Sequence, residues 1–235
     1  AVGHEALTAN TTGYNNTAIG YVAGKAITEG YQNTLVGDRA GTALTTGDNN
    51  TAIGQHALKT ATTASANTAI GFDALTLNTS GHSNTAVGNY ALSDNTVGFS
   101  QVAVGIHALS SNTEGERNVG LGYSAGQAIT TGDDNVAVGY AALHSQSTSS
   151  SSVAVGYAAL YAATGANNIA MGYDAGRGNS PGGNITSESH RIVLGNNNHT
   201  SAHIKVDWTV SSDERDKDDI TNFSHGLNYV NQLRP

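Results

Sequence analysis

The feature that most constrains this chain is a glycine that returns every 17 residues. It ends the motif Asn-Thr-Ala-Ile-Gly at residues 16–20, and the same spacing holds without insertion or deletion at Gly3, Gly20, Gly37, Gly54, Gly71, Gly88, Gly105, Gly122, Gly139 and Gly156. A further copy at Gly172 comes one residue early, and residues 192–195 look like a degenerate twelfth copy. A fixed period of this length predicts a solenoid, in which each repeat forms one coil and stacks on the next.

Aligning the copies on this glycine predicts where each position of the coil points. The residue before the glycine is always aliphatic or Met, and the residue two positions earlier is always β-branched, so both are expected on the core face of a strand. The residue between them is Ala in most copies, with Leu35 and Gly120 as exceptions, and alternation turns it to the opposite face. We expect this Ala column to pack against neighbouring chains, which predicts an oligomer.

The rest of each coil predicts a second short strand and two polar turns. The fourth residue after the glycine is usually Leu, but three copies have Gly there and place an aliphatic residue three positions later: Gly24 with Ile27, Gly41 with Leu44, and Gly126 with Ile129. One core position is therefore expected to be filled from either of two places. A glycine column at the second turn predicts a positive φ, and an Asn column before the strand predicts a ladder of side-chain amides.

Composition excludes several classes of protein. The chain has 29 Gly but only 2 Pro and no Cys, without a Gly at every third residue, so neither collagen nor a disulfide scaffold fits. The formal net charge of −8 argues against nucleic acid as a partner. No apolar run is long enough to insert in a membrane, and neither a phosphate-binding loop nor a pair of catalytic carboxylates is present, so no cofactor is expected. Because the chain begins inside a repeat and without Met, we expect it to be part of a longer polypeptide.

Three regions follow from the repeat pattern. Residues 1–176 form the repeat shaft, residues 177–211 a loop and an exit strand, and residues 212–235 a separate, highly charged segment. The loop is the Gly- and Pro-containing stretch at residues 178–183, the exit strand is the alternating stretch at residues 204–210, and a short helix is expected to end near Leu233.

The repeats resemble the Asn-Thr-Ala-Ile-Gly β-roll repeats in the heads of trimeric autotransporter adhesins and, more closely, the shafts of bacteriophage tail fibres. The resemblance covers residues 1–176. It implies an all-β fold, a parallel β-solenoid or β-roll of 17-residue coils, assembled as a homotrimeric fibre. It also implies a place in the extracellular tail fibre of a virion, with other tail proteins and a host surface receptor, a glycan among the candidates, as partners. A non-viral adhesin on a bacterial cell surface is the alternative.

The segment Ser-Asp-Glu-Arg-Asp-Lys-Asp-Asp-Ile at residues 212–220 resembles the beginning of the endosialidase-type intramolecular chaperone domain. That domain trimerises at the C-terminus of phage fibres, assists their folding and often cleaves itself off. The resemblance implies that Ser212 follows the scissile bond and is the nucleophile, with Lys217 as its base. Otherwise no enzyme is expected, and a solvated charged linker is the alternative for the same residues.

One aromatic column suggests a binding surface. Four consecutive coils carry Tyr directly after the motif glycine, at Tyr123, Tyr140, Tyr157 and Tyr173. Stacking within the shaft is one interpretation, and a glycan-binding stripe is the other. No metal site is expected, although His199 and His203 with their symmetry mates are an alternative to solvated loop histidines.

Two further functions share parts of this pattern. A row of Thr from residue 17 to residue 85 is typical of an ice-binding solenoid if it points outward, but Val replaces Thr from residue 102 onward. A hexapeptide-repeat acyltransferase needs about three hexads per coil, whereas this chain has one clear hexad in each 17 residues.

Overall fold

The architecture is a single stack of coils with one strand in each. A computed structural model describes residues 1–201, and eleven parallel strands of three residues form one sheet: β1 Thr17–Ile19, β2 Thr34–Val36, β3 Thr51–Ile53, β4 Thr68–Ile70, β5 Thr85–Val87, β6 Val102–Val104, β7 Val119–Leu121, β8 Val136–Val138, β9 Val153–Val155, β10 Ile169–Met171 and β11 Ile192–Leu194. The strands pair in chain order, and Val2 adds a parallel bridge to Ile19. The predicted all-β, parallel solenoid of 17-residue coils is confirmed, and the degenerate twelfth copy is β11.

The stack accommodates two changes in coil length near its end. Strands β1 to β9 pair at a spacing of 17 residues, whereas Val153 pairs with Ile169 and Ile169 pairs with Ile192. The last spacing is six residues longer than the period, and the surplus is taken up by the turns around residues 178–183. The chain then returns to the core at Ile185, which is 3% exposed.

The predicted second strand is wrong. After each motif glycine the chain makes a run of turns, in which left-handed residues alternate with ordinary ones, as at His56 (φ 60°) and Leu58 (φ 53°). His56 donates its N–H to the Asp38 carbonyl of the preceding coil, while Leu58 donates to the Ala74 carbonyl of the following coil. The segment still bonds to both neighbouring coils, but its alternating φ angles curl it away from strand geometry.

The predicted orientation of the strand is also wrong. The central residue of every strand points inward: the nine buried Ala or Leu residues of β1–β6 and β8–β10 are 0% exposed, and Val193 of β11 is 5% exposed. The Ala column therefore fills the core of its own coil rather than a contact with another chain. The interior is so narrow that a methyl group at Gly120 would lie 2.9 Å from Leu109 Cγ. A coil holds about one large side chain, and Ala occupies the opposite wall.

The predicted exchange of core positions is confirmed. Ile27, Leu44 and Ile129 are all buried, as is the Leu at the alternative position in every other regular coil except Leu7 in the first, which is partly buried. A methyl group at Gly24 would lie 3.1 Å from Ile27 Cδ1 and 2.7 Å from Leu35 Cδ1. Leu35, the exception in the Ala column, thus helps to fill the volume that Gly24 leaves.

The predicted Asn ladder is confirmed as well. Asn50 is buried, and its side-chain Nδ2 donates to Asn33 Oδ1 (3.0 Å) and to the Ala64 carbonyl (2.8 Å). The backbone N–H of Asn50 donates to the same Asn33 oxygen at 3.0 Å. Gln101 and Ser152 replace Asn in two coils. The backbone N–H of each still donates to the side-chain oxygen of the Asn in the preceding coil, so the ladder continues through both positions.

The glycines of the second turn have a different cause from the one predicted. They do not adopt a positive φ, and they are needed because the coils approach closely: a methyl group at Gly30 would lie 2.5 Å from the Gly47 carbonyl oxygen. Both requirements meet instead at the motif glycine, where Gly88 has φ 137° and a methyl group would lie 2.5 Å from the Gly105 carbonyl oxygen.

Candidate functional site: the outer face of the sheet

The first and third residues of each strand form what we call the outer face. Since the central residue points inward, its two neighbours point away from the core. Large apolar side chains are exposed or half-buried along the stack, and the exposed fraction reaches 44% for Ile19, 39% for Val104, 49% for Met171 and 53% for Leu194. An apolar row of this length on an isolated coil stack marks a surface for interaction.

The outer face contains no charged side chain. Its third-residue column consists only of Ile, Val, Leu and Met, and its first-residue column consists only of Thr, Val and Ile. The first column changes once: it is Thr in β1–β5 and Val or Ile in β6–β11. The face is thus half hydroxyl-bearing in its first five strands and wholly apolar in the remaining six.

The four tyrosines predicted as a binding stripe form a continuous stack, which we call the Tyr ladder. Adjacent rings of Tyr123, Tyr140, Tyr157 and Tyr173 have centroids 5.0–5.2 Å apart and planes within 9° of parallel. Their exposed fractions lie between 45% and 57%. The predicted stacking at the coil spacing is confirmed. Because each ring face is turned to the next ring, a ligand beside the ladder meets ring edges and hydroxyl groups, and glycan binding there stays a prediction.

Five other stacked aromatic pairs have the same spacing of 17 residues but were not predicted. They are His4–Tyr21, Tyr14–Tyr31, His82–Phe99, Tyr90–His107 and His144–Tyr161. The stack of His144 and Tyr161 continues to Arg177, whose guanidinium lies 5.1 Å from the Tyr161 ring centroid. Burial lowers the pKa of His144, whose Nδ1 atom is buried without a hydrogen-bond partner.

Charged side chains pair along columns away from the outer face. His56 Nδ1 lies 3.0 Å from Asp73 Oδ1 in the next coil. Arg117 Nε donates to Asp134 Oδ1 at 2.7 Å, and this hydrogen bond lowers the pKa of the Asp134 carboxyl. These contacts pair surface charges between neighbouring coils.

The predicted histidine and self-cleavage residues fall in two groups. His199 is described, and its Nδ1 atom lies within 3.2 Å of polar atoms of Asn196 in the same turn. His203, Ser212 and Lys217 lie outside the described residues, so self-cleavage stays a prediction. Within residues 1–201 no group of three or more His, Asp or Glu side chains is placed to hold a metal ion. No helix in that range is long and apolar enough to cross a membrane.

Comparisons of the chain with protein-family models, with curated proteins and with solved structures return no significant match.

Proposed function

We propose that this chain forms the shaft of a homotrimeric fibre in which the outer faces of three copies meet. The observation that carries the proposal is the uncharged outer face, which leaves aliphatic side chains exposed or half-buried on every coil. Transferring such side chains from water into a contact between chains is favourable, by about 25 cal/mol per Å² of apolar area.

The regular spacing of the face favours copies of the same chain as its occupant. Its apolar side chains repeat once per coil, at the distance between neighbouring strands, over eleven strands. A partner that contacts all of them needs the same repeat, and a second copy in parallel has it. The absence of charge removes the like-charge repulsion that identical surfaces otherwise meet.

The flat area of the face is somewhat smaller than one side of a typical specific interface. Ten strand spacings give a length of about 48 Å, and three residues give a width of about 10 Å. The flat area is then roughly 500 Å², before side-chain relief is counted, against about 800 Å² per partner in a typical specific interface.

The number of copies and the biological setting rest on the resemblance of the repeats and of residues 212–220. On that basis the fibre belongs to a bacteriophage tail, outside the cell, where it joins other tail proteins to a host surface receptor. Its work is mechanical, and a C-terminal chaperone segment assists its assembly. A bacterial surface adhesin with the same trimeric shaft is the alternative setting.

The test is the native mass in solution, measured by light scattering, against the denatured mass. We expect a ratio of three for the unchanged chain and a ratio of one for Val104→Lys/Leu121→Lys, which places charge on the outer face. Gln127→Lys is the matched control, because Lys25 and Lys59 occupy the equivalent position in other coils, and it should keep the ratio of three. An unchanged chain that is monomeric contradicts the proposal. Mass spectra under denaturing conditions also report cleavage before Ser212.

A second candidate function is favoured by one observation. The Thr residues of β1–β5 do point outward, beside an outward aliphatic column, which is the arrangement expected of an ice-binding solenoid. That function needs the face open to solvent, so it requires a monomer. A monomeric mass together with thermal hysteresis would support it, and a trimer without hysteresis would exclude it.

A further inference from the structure

The change from Thr to Val or Ile on the outer face lies at one point in the stack. Strands β1 to β5 begin with Thr, and strands β6 to β11 begin with Val or Ile, without exception. We call the boundary between Thr85 and Val102 the Thr/Val step. The third-residue column has no such boundary, because it is aliphatic or Met throughout.

Identical coils create a problem for any assembly of parallel copies. A slip of one chain by one coil, about 4.8 Å, sets aliphatic residues against aliphatic residues again over most of the face. Register between chains is weakly specified when a surface repeats in this way. A single polar position in an apolar contact is a known means of fixing register.

We propose that the Thr/Val step fixes the axial register of the copies in the fibre. This inference rests on the proposed contact between outer faces. In register, every Thr faces the Thr residues of the other copies, and their hydroxyls, which both donate and accept, bond to one another. A slip by one coil places Thr85 of one copy at the level of Val102 of the others. Its hydroxyl then has no partner in an apolar contact, which disfavours the slipped state.

A second column changes in the same direction one coil after the step. The column directly after the motif glycine is mixed through Ile106, which follows β6, and becomes the Tyr ladder from Tyr123, which follows β7. The C-terminal part of the sheet is therefore bordered by aromatic side chains as well as being wholly apolar. The N-terminal and C-terminal parts of each copy thus differ in two columns rather than one.

Cysteine cross-linking can read the register directly, because the chain has no Cys of its own. Val87 and Val104 are outward residues one coil apart, on either side of the step. Two differently tagged chains, one carrying Val87→Cys and the other Val104→Cys, are co-expressed and oxidised with copper phenanthroline. A disulfide between two residues 104 reports copies in register, and a disulfide between residues 87 and 104 reports a slip of one coil.

We expect same-position disulfides to exceed slipped ones by about tenfold or more, as one unpaired buried hydroxyl predicts. Replacing all five Thr of β1–β5 by Val removes the step, and the ratio should fall about tenfold while the native mass stays trimeric. Replacing the same five by Ser keeps the hydroxyls and should keep the ratio. A trimer whose ratio is unchanged by the Thr→Val set overturns the inference alone, whereas a monomer without any cross-link overturns the proposed function.

Discussion

At the residue scale, the position of the motif glycine imposes two requirements that no other type of amino acid meets. Its φ is far into the positive region, and its Cα faces the carbonyl of the next coil, as Gly88 faces Gly105. For Gly88→Ala we expect the free energy of unfolding to fall by about 3 kcal/mol, since backbone strain and a backbone clash add together. Chemical denaturation followed by circular dichroism measures the change.

The loop in the last coil offers a matched control. A methyl group at Gly178 would have no heavy atom within 4 Å, and its φ is not positive. Gly178→Ala should therefore change the free energy of unfolding by less than about 0.5 kcal/mol. Equal losses in the two variants would mean that close approach between coils does not select glycine.

His144 gives the molecule a predicted dependence on pH. Its pKa is lowered from 6.5 by burial, so the unfolded chain binds a proton at a higher pH than the folded chain does. Stability is then highest above about pH 6.5 and falls as the pH drops below it, because protons favour the unfolded state. His144→Gln should flatten the pH dependence of the unfolding free energy between about pH 5 and pH 7.

A pH profile of the unfolding free energy that His144→Gln leaves as steep as in the unchanged chain would contradict the assignment of the effect to burial of this imidazole.

At the scale of the coil, the two ways of filling the core can be exchanged. Leu58→Gly removes the large side chain of its coil and should lower the free energy of unfolding by about 3 kcal/mol. Adding Ala61→Ile to it recreates the pattern of Gly24 with Ile27, and most of the loss should be recovered. Thermal and chemical unfolding of the two single variants and the double variant form a double-mutant cycle.

The same cycle also includes the outcome that would contradict the prediction. Ala61→Ile alone overfills a coil that already holds Leu58, and it should destabilise the chain by about 1–3 kcal/mol. Additive losses in the double variant would show that the two positions do not share one volume.

The sequence predicts correctly those elements whose residue pattern is compatible with only one structure. A strict period, β-branched residues and a column of Asn leave little choice about coils, parallel strands and the amide ladder. The direction of the strand was wrong because both of its faces are apolar, as Ile19 and Ala18 illustrate. The volume of the interior decides which face of the strand points inward. One coil has room for Ala opposite Leu, and the larger aliphatic residues of the strand remain outside. The second strand was wrong because nothing in Leu58 or His56 signals a left-handed φ.

At the scale of the whole molecule, the candidate site was partly predictable. The spacing of Tyr123 to Tyr173 was enough to predict their stacking, and the same reasoning applied to every column would have found the other aromatic pairs. The apolar outer face was not predicted, because it depends on the direction of the strand. An oligomer was still expected, but from the Ala column, which the structure places in the core. The Thr row was evident from its spacing, but its place in a contact between copies follows only from its outward direction in the structure.

The direction of the backbone hydrogen bonds has a mechanical consequence. The bonds between strands lie along the stack, so tension applied to the two ends of one chain loads the bonds of a terminal coil before those of the interior. Coils then detach one after another, and each releases about 60 Å of extended chain. A single molecule held between two surfaces would therefore lengthen in equal steps at nearly constant force. The energy of a sudden pull would be dissipated by the detachment of successive coils.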